Sequence, residues 1–418
     1  MQLLSDPIAL RRSIVLPEYV ADTILPWIYG RVTLAPVRLD AAGYEWLVAD
    51  HPIVGVSRVL VGGLAVAGWQ LIQTLDATGH AISKIRLTTA PKSGESVAVS
   101  VIGRRHAQTG AVLEHPADIV ESLLEEHGWT VSADAFRVLR ERFPGLSLGG
   151  VFDRATTLRA AVTTVLASVD AEWSAAPLLA WLSSQPAAPL WTATPALVDE
   201  ASAESTHEDL ATRLAVSFAQ DWAAGAPAFS LLVAAPERIA EVGVLEATLD
   251  LPWVRTARDA LAIASQILQR RARPSWTITL SVGDGGGLLP GDAVTLAHPW
   301  IPRGVATISR IARSADRYTI TLILAAGSAP RIELVSRGER VETAGVDPLR
   351  VVYQDGVAAF TILNDLGDPL AGASVSLDGA ETRTTDRLGQ VQFTTTRGTH
   401  TLLVVAAGYA PFEMEVVV

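Results

Sequence analysis

The stretch VLEATLDLPWVRTARDALAIASQILQRRARPSWTITLSVGDGGGLLPGDAVTLAHPW, Val244 to Trp300, decides how the chain is read. Its pattern is strand, helix, strand, glycine turn, strand. Thr256 is placed as an N-cap, with Asp259 three residues on as a capping-box-like partner. Ala260, Ile263, Ala264 and Ile267 then fall at i, i+3, i+4 and i+7, and Leu261 and Leu268 widen the stripe. Arg270, Arg271 and Arg273 complement the negative end of this helix over 256–271, and Pro274 stops it. Trp276, Ile278, Leu280 and Val282 alternate as a half-buried strand. Gly283 to Gly287 turns the chain, and Leu289-Pro290-Gly291-Asp292 opens the next strand. Trp253 and Trp276 bracket the helix and are the expected packing anchors. All of this is scaffold, with no group placed for catalysis.

The order LPWV-T…A…IA…LQR…PSW-I-L followed by L-PGD-V-L-HP resembles the baseplate hub, or tail-tip hub, proteins of tailed bacteriophages. Each piece alone is common; their order and spacing are not. In that family the segment lies where a linking helix feeds a tube-like β-barrel domain. The run YG…PV-LD…L-DHPI-GV-RV-V-G near the N-terminus resembles the first domain of the same proteins. HPADIVESLLEEHGW resembles the element that opens their helical part.

Composition sets bounds on both readings. The 418 residues suffice for three or four domains at roughly 100–150 residues each. Apolar residues make up 49% and charged residues 18%, so sizeable cores form and wholesale disorder is excluded. The net charge of −11 opposes binding to a nucleic-acid backbone, which normally needs a basic face. An acidic surface suits a conduit through which DNA slides without sticking. With no cysteine, disulfides, thiolate metal sites and cysteine nucleophiles are ruled out. MQLLSDPIALRRS lacks the apolar region of a signal peptide. The uncharged run Val59 to Leu75 has the length of a short membrane span, but Gly62-Gly63 divides it as a hairpin turn would, so no membrane insertion is expected.

Along the chain, residues 1–112 read as a β-rich domain of short strands and frequent turns. Pro36 confines the strand around Val37 to an edge or bulge. Residues 113–185 read as a mostly helical insertion. Its first helix has His115 as cap, Pro116 at N1, an Ile119, Val120, Leu123 and Leu124 stripe and a Gly128 stop. Further helices are expected near Ala133–Arg142 and Thr156–Ser168. Residues 186–345 form a second β region containing the central helix. There TRLAVSFA has the alternation of an interface strand, and VATISRIARSADRYTITLILA forms two strands around a Ser314–Asp316 turn. Residues 346–418 are a separate unit whose turn signals recur between alternating strands. Asp365 to Gly379, Thr384 to Phe393 and Gly398 to Tyr409 resemble a small prealbumin-like β-sandwich of the carboxypeptidase-regulatory type. The fold class is therefore mainly β with a helical insertion (α+β): tube-like β-barrel hub domains plus a C-terminal β-sandwich.

Candidate chemistry is sparse. Gly145-Leu146-Ser147-Leu148-Gly149 matches G-x-S-x-G, but a helix and Pro144 precede it where a nucleophile elbow needs a strand. His106, Glu114, His115 and Asp118 lack the i, i+4 pairing of helical zinc sites, and a helix cap with solvated charges explains them. Gly283–Gly287 has no following lysine or helix start with which to hold phosphate. Asp365, Asp368, Asp378 and Asp386 offer carboxylates to a hard cation but lack EF-hand spacing and occupy turn positions. No catalytic residue, metal or cofactor is expected. The interface and structural candidates are Trp253, Trp276, Thr256, Gly291 and Asp292.

The resemblance implies a structural virion protein, not an enzyme, assembled in the host cytoplasm and located at the tail tip or baseplate. It implies a homotrimer whose six tube-like domains present a pseudo-sixfold ring to the hexameric tail tube. Its partners would be the tube and distal tail proteins and a fibre, spike or tape-measure protein, with DNA passing through unbound. The alternative is a cell-surface or glycan-binding protein acting through the C-terminal sandwich.

Overall fold

The computed structural model describes residues 24–417 apart from 77–78, 107–108, 133, 176–177, 183–188, 207–208, 284–286, 315–316, 326, 339–349, 355–356, 363–369, 397 and 407–411. The N-terminal MQLLSDPIALRRS, the centre of the glycine turn, most of the Ser314–Asp316 turn, Asp365 and Asp368 lie outside the described residues. The structure is mainly β and divides into two compact units, Met1–Val61 with Val66–Glu339, and Arg340–Val418 with Gly62–Ala65.

The N-terminal part contributes β1 (Trp27–Tyr29), β2 (Arg31–Leu34), β3 (Val37–Arg38), β4 (Glu45–Ala49), β5 (Gly55–Val61), β6 (Leu64–Ala65), β7 (Trp69–Leu75), β8 (Ala81–Leu87) and β9 (Val97–Ile102). They form two four-stranded sheets, β2-β9-β5-β6 and β3-β4-β8-β7. Alternation drives their packing: Val97, Val99 and Val101 of β9 are buried, while the residues between them are half-buried. Val32, Leu34 and Val59 from the first sheet share one core with Val48, Ile85 and Leu87 from the second. Each such side chain contributes about 1.5–3 kcal/mol on full burial. Gly62 and Gly63 both have positive φ, 57° and 83°, the conformation a two-residue turn of type I′ requires.

The next stretch holds α1 (Pro116–Glu126), α2 (Arg137–Arg142), β10 (Gly150–Phe152), α3 (Leu158–Ala167), β11 (Ala171–Ala175) and β12 (Leu178–Leu182). His115 Nδ1 accepts from Ala117 N at 3.2 Å, and Ile119, Val120, Leu123 and Leu124 form the buried stripe of α1. The segment is also stitched back to the N-terminal part. β10 pairs antiparallel with β1, Ile28 opposite Val151. Three residues are too few for a period to show, and the sequence places them within the helical insertion.

The second β region contains β13 (Pro189–Ala193), β14 (Glu200–Thr206), β15 (Arg213–Asp221), β16 (Ala226–Ala234), α4 (Pro236–Val242), β17 (Glu246–Leu251), α5 (Ala257–Arg271), β18 (Ser275–Val282), β19 (Ala293–Leu296), β20 (Gly304–Arg313), β21 (Tyr318–Ala325) and β22 (Glu333–Gly338). One sheet runs β17-β15-β16-β22. Its inner face, Leu214, Val216, Phe218, Leu231 and Val233, shares a core with α1, α3 and α5. TRLAVSFA is thus an inner strand of this sheet. As β15 it is hydrogen-bonded on both sides, antiparallel to β16 and parallel to β17. Alternation reports a half-buried strand but not whether it lies at a sheet edge. Thr256 caps α5, its hydroxyl accepting from Asp259 N at 3.1 Å, an interaction worth about 1 kcal/mol.

A six-stranded sheet has the order β13-β19-β20-β21-β18-β14, so its two edge strands are consecutive in the chain. A flat sheet of this size would hold its edges about 24 Å apart. The link 194–199 is folded by Leu197 N and Val198 N donating to Thr194 O at 3.0 and 3.2 Å, well short of the ~3.5 Å per residue of an extended chain. The sheet therefore curls around one core that includes Ala193, Ile278, Leu280, Val294, Ile308 and Leu322. Among the described residues the ladder between β13 and β14 stays open. The tube-like barrel of the sequence reading is here a curled open sheet.

The C-terminal unit has β23 (Arg350–Gln354), β24 (Val357–Thr361), β25 (Ser374–Leu377), β26 (Glu381–Thr384), β27 (Gln390–Thr394), β28 (Thr399–Val405) and β29 (Phe412–Val417). The sheets β23-β24-β27 and β26-β25-β28-β29 enclose a core of Phe360, Phe393, Val375 and Leu402, with the two phenyl rings edge-on at 5.8 Å.

Candidate assembly surfaces

The residues singled out for chemistry do not converge. Ser147 lies in a loop entering β10, between buried Leu146 and Leu148, with a strand after it rather than before. His115 is a helix cap, and Asp118 accepts from Arg140 at 2.8 Å. Asp386 accepts from Leu388 N and Gln390 N, both at 2.8 Å, as a turn aspartate does. Asp378 accepts from Thr401 N at 2.8 Å and lies 2.6 Å from His400 Nδ1. The other His400 nitrogen faces Thr396 O at 2.8 Å, so both ring nitrogens meet acceptors; these bonds raise the His400 pKa and lower that of Asp378. Among the described residues no three acidic or histidine side chains are grouped to hold a metal.

What the fold builds is a junction and a set of exposed edges. Trp253, 1% exposed, sits at the junction, with ring centroids of Phe152, Tyr29 and Trp222 at 5.0, 6.4 and 6.5 Å. Gly150 packs under the indole, where a Cβ would lie 2.2 Å from the ring. Trp222 N donates to Thr33 O at 3.0 Å, and the Arg255 guanidinium donates to Arg31 O. The sheet β2-β9-β5-β6 is thereby fastened beside β17-β15-β16-β22. Arg104 stacks on Trp27 at 4.2 Å and pairs with Glu126 of α1. Burial pushes the neighbouring Tyr29 hydroxyl far up, so it stays protonated.

Trp276 is half-buried on β18 opposite Leu324. Gly291 has φ +90°, and a Cβ there would meet Trp181 Cβ at 2.5 Å. Asp292 Oδ2 accepts from Leu289 N at 2.7 Å and closes the turn before β19. These five candidates are spread over the junction and the curled sheet rather than gathered at one site.

His51 locks the start of the N-terminal domain. Ile28 N donates to its Nε2 at 2.9 Å, and its Nδ1 donates to Pro52 O at the same distance. Burial, aided by nearby Arg104, lowers its pKa to about 3. A folded pKa below the unfolded value of about 6.5 means that unfolded chains take the proton first as pH falls. The stability from neutral His51 is complete above pH 6.5 and is lost progressively down to about pH 3. Between pH 7.5 and 5.0 the loss is about 2 kcal/mol. Urea unfolding of wild type and His51→Asn at both pH values should show this extra loss in wild type alone; equal losses would remove His51 as its cause.

The edges differ in what they expose. Among the described residues, β17 and β22 carry no strand on their outer sides. Leu334 and Val335 of β22 and Leu64 of β6 are exposed. The open face of β17 and β15 carries exposed Glu246, paired with Arg213 at 3.3 Å, and exposed Thr248 and Asp250 beside small Ala215 and Ser217. At its end is a cleft of about 530 Å³ lined by Asp209, Leu210, Glu246, Ala247, Thr248 and Arg271. Sequence reading missed this cleft and also Trp300, which is 83% exposed in the loop between β19 and β20.

No protein-family model and no curated protein matches the chain. Among solved structures, a chain from the virion of native gene transfer agent particle matches at TM-score 0.51 and 15% identity, over 80% of this chain and 90% of that one. A tail protein from Neisseria meningitidis MC58 is similar at TM-score 0.32 and 11% identity, over 72% and 96%. A 43 kDa tail protein of prophage MuSo2 from Shewanella oneidensis gives 0.30 and 12%, over 72% and 98%. The last two scores are too low to bear on the fold. The first is a likeness of fold: over four-fifths of its length, the chain is built like a chain of the gene transfer agent virion.

Proposed function

We propose that this chain is a structural component of a phage-type tail, the hub at the distal end of the tail tube. Three copies would form a ring whose centre passes DNA, and the ring would adapt the hexameric tube to a trimeric tip. The observation that carries this reading is the pair of four-stranded sheets fastened side by side through Trp222 and Thr33. Each chain supplies one such fastened pair, so three copies would bring six of these sheets around the axis, the number a sixfold tube presents. The outer strand β22, with exposed Leu334 and Val335, needs cover, and a closed cyclic assembly supplies it. On the face of β17 and β15 the one arginine, Arg213, is paired with Glu246, and Asp250 and short side chains make up much of the rest, which supports a wall that phosphates do not adhere to. The C-terminal unit, read as a prealbumin-like sandwich, would contact a fibre, spike or host surface. No step of this function needs an enzyme activity.

Sedimentation equilibrium tests the reading directly. The expected mass is three times that of the 44.3 kDa chain. Val335→Lys, which places a charge on the β22 edge, should shift the trimer toward single chains by at least tenfold. A wild-type chain that stays single at all concentrations, alone and with tube protein, would defeat the proposal.

A further inference from the structure

His400 stands at one end of the C-terminal unit, and its two ring nitrogens reach two different connections between strands. Leu402 and Val404, two and four residues on along β28, are buried in the core, so strand alternation sets His400 on the same inner face. Its Nδ1 lies 2.6 Å from Asp378 Oδ2, in the turn between β25 and β26. Its Nε2 lies 2.8 Å from Thr396 O, in the link between β27 and β28. A neutral imidazole carries one N–H and an imidazolium carries two, whereas a carboxylate oxygen and a carbonyl oxygen only accept. Both contacts are therefore made at once by the protonated ring alone. We infer that His400 is a proton-operated latch: charged, it ties the β25–β26 turn to the β27–β28 link, and on losing its proton it releases the link. This goes beyond the tail-hub reading and does not depend on it.

The turn holds its side of the latch fixed. Asp378 has φ +53°, in the left-handed region that few residues other than glycine occupy. Its N donates to Thr401 O at 2.7 Å, and its Oδ1 accepts from Thr401 N at 2.8 Å. When the ring is neutral its remaining proton stays on Nδ1, because a hydrogen bond to an ionised acceptor is stronger than one to a carbonyl. Nε2 then turns a lone pair toward Thr396 O, and two acceptors 2.8 Å apart repel. The Thr395 hydroxyl, 3.3 Å from Nε2, is the donor that replaces the lost proton. Deprotonation thus exchanges the Thr396 carbonyl for the Thr395 hydroxyl and moves the link, while the turn stays in place.

Among the described residues, Asp378 is the charged group set against the ring. Glu381 and Arg383 of β26 pair with each other at 2.6 Å. On β29, Val416 is opposite His400, and Glu415 and Glu413 are in register with Thr401 and Leu403. The bond to Asp378, followed by that to Thr396, raises the His400 pKa above its ordinary value. The same bond holds the Asp378 carboxyl below its own, so Asp378 stays ionised while His400 titrates. A folded pKa above the unfolded value of about 6.5 leaves the latch fully in place below that pH and removes it as pH rises through the raised value.

Hydrogen exchange of the full-length protein, followed by mass spectrometry at pH 6.0 and 9.0, reads the link in the peptide 394–402. Each rate is divided by that of an unstructured chain at the same pH. In wild type the protection of this peptide should fall about tenfold between the two, as for the loss of one hydrogen bond to a charged group. His400→Gln, which does not titrate, should show the same protection at both. Asp378→Asn removes the carboxylate that retains the proton and should move the fall to lower pH. Protection in wild type that is equal at pH 6.0 and 9.0, or that falls as far in His400→Gln, overturns the latch. So does a fall whose midpoint is unmoved in Asp378→Asn.

Discussion

Trp253→Ala should cost the protein about 3–5 kcal/mol of stability, the usual loss for a buried aromatic ring truncated to a methyl group. The indole is 1% exposed and holds Phe152, Tyr29 and Trp222 around it, so its removal leaves a hole bounded by three elements that cannot all collapse inward. Gly150, beneath the ring, has no side chain with which to fill the space. The backbone bond from Gly149 N to Trp253 O, 2.8 Å, survives the substitution, so the loss reports packing alone. Denaturant unfolding followed by far-UV circular dichroism measures it. Trp253→Phe should lose distinctly less than Trp253→Ala. A loss below about 1 kcal/mol for the alanine variant would mean that the junction is not held by this ring.

Gly30→Ala should be comparably damaging for a different reason. Gly30 has φ +61°, a region that costs an L-residue about 1–2 kcal/mol. In addition, a Cβ there would lie 1.8 Å from Leu148 O. That atom is backbone, and Leu148 N is itself tied to Glu114 O at 2.7 Å, so the neighbour cannot step aside without breaking the approach to β10. Gly225→Ala is the internal control: φ is +72°, but nothing lies within 4 Å of its would-be Cβ. It should lose only the left-handed penalty, and the difference between the two variants isolates the close approach of the chains. Equal losses would show that the backbone contact is unimportant.

Both predictions fall on the junction, which is the part of the molecule least legible in the sequence. Local signals carried well. Thr256 with Asp259 marked the start of α5, His115 with Pro116 marked α1, and the Val97, Val99 and Val101 alternation marked β9, because capping and periodicity act over a few residues. Long-range pairing left no such trace. Nothing in GGVF announces that Val151 lies opposite Ile28, and nothing in TRLAVSFA tells a central strand from an edge. The curl of the six-stranded sheet follows from β13 and β14 being its two edges, a fact of topology and not of composition. Gly291 was legible as a turn residue, but its second constraint, the approach of Trp181 from β12, was not.

The assembly surfaces divide in the same way. A tryptophan between two prolines in HPWIP is a signal of a stiffened, displayed side chain, and it stands in the sequence. Its exposure does not, since Trp191 follows a proline nearby and packs on the core of its sheet. The cleft is assembled from the segment before β15, the start of β17 and the end of α5, and no single stretch advertises it.

Negative-stain electron microscopy of the purified chain, alone and in the presence of tail tube protein, is the direct test of the ring. Particles with threefold or pseudo-sixfold symmetry and an open centre are expected. Compact particles of single-chain size without a hole, under both conditions, would contradict it.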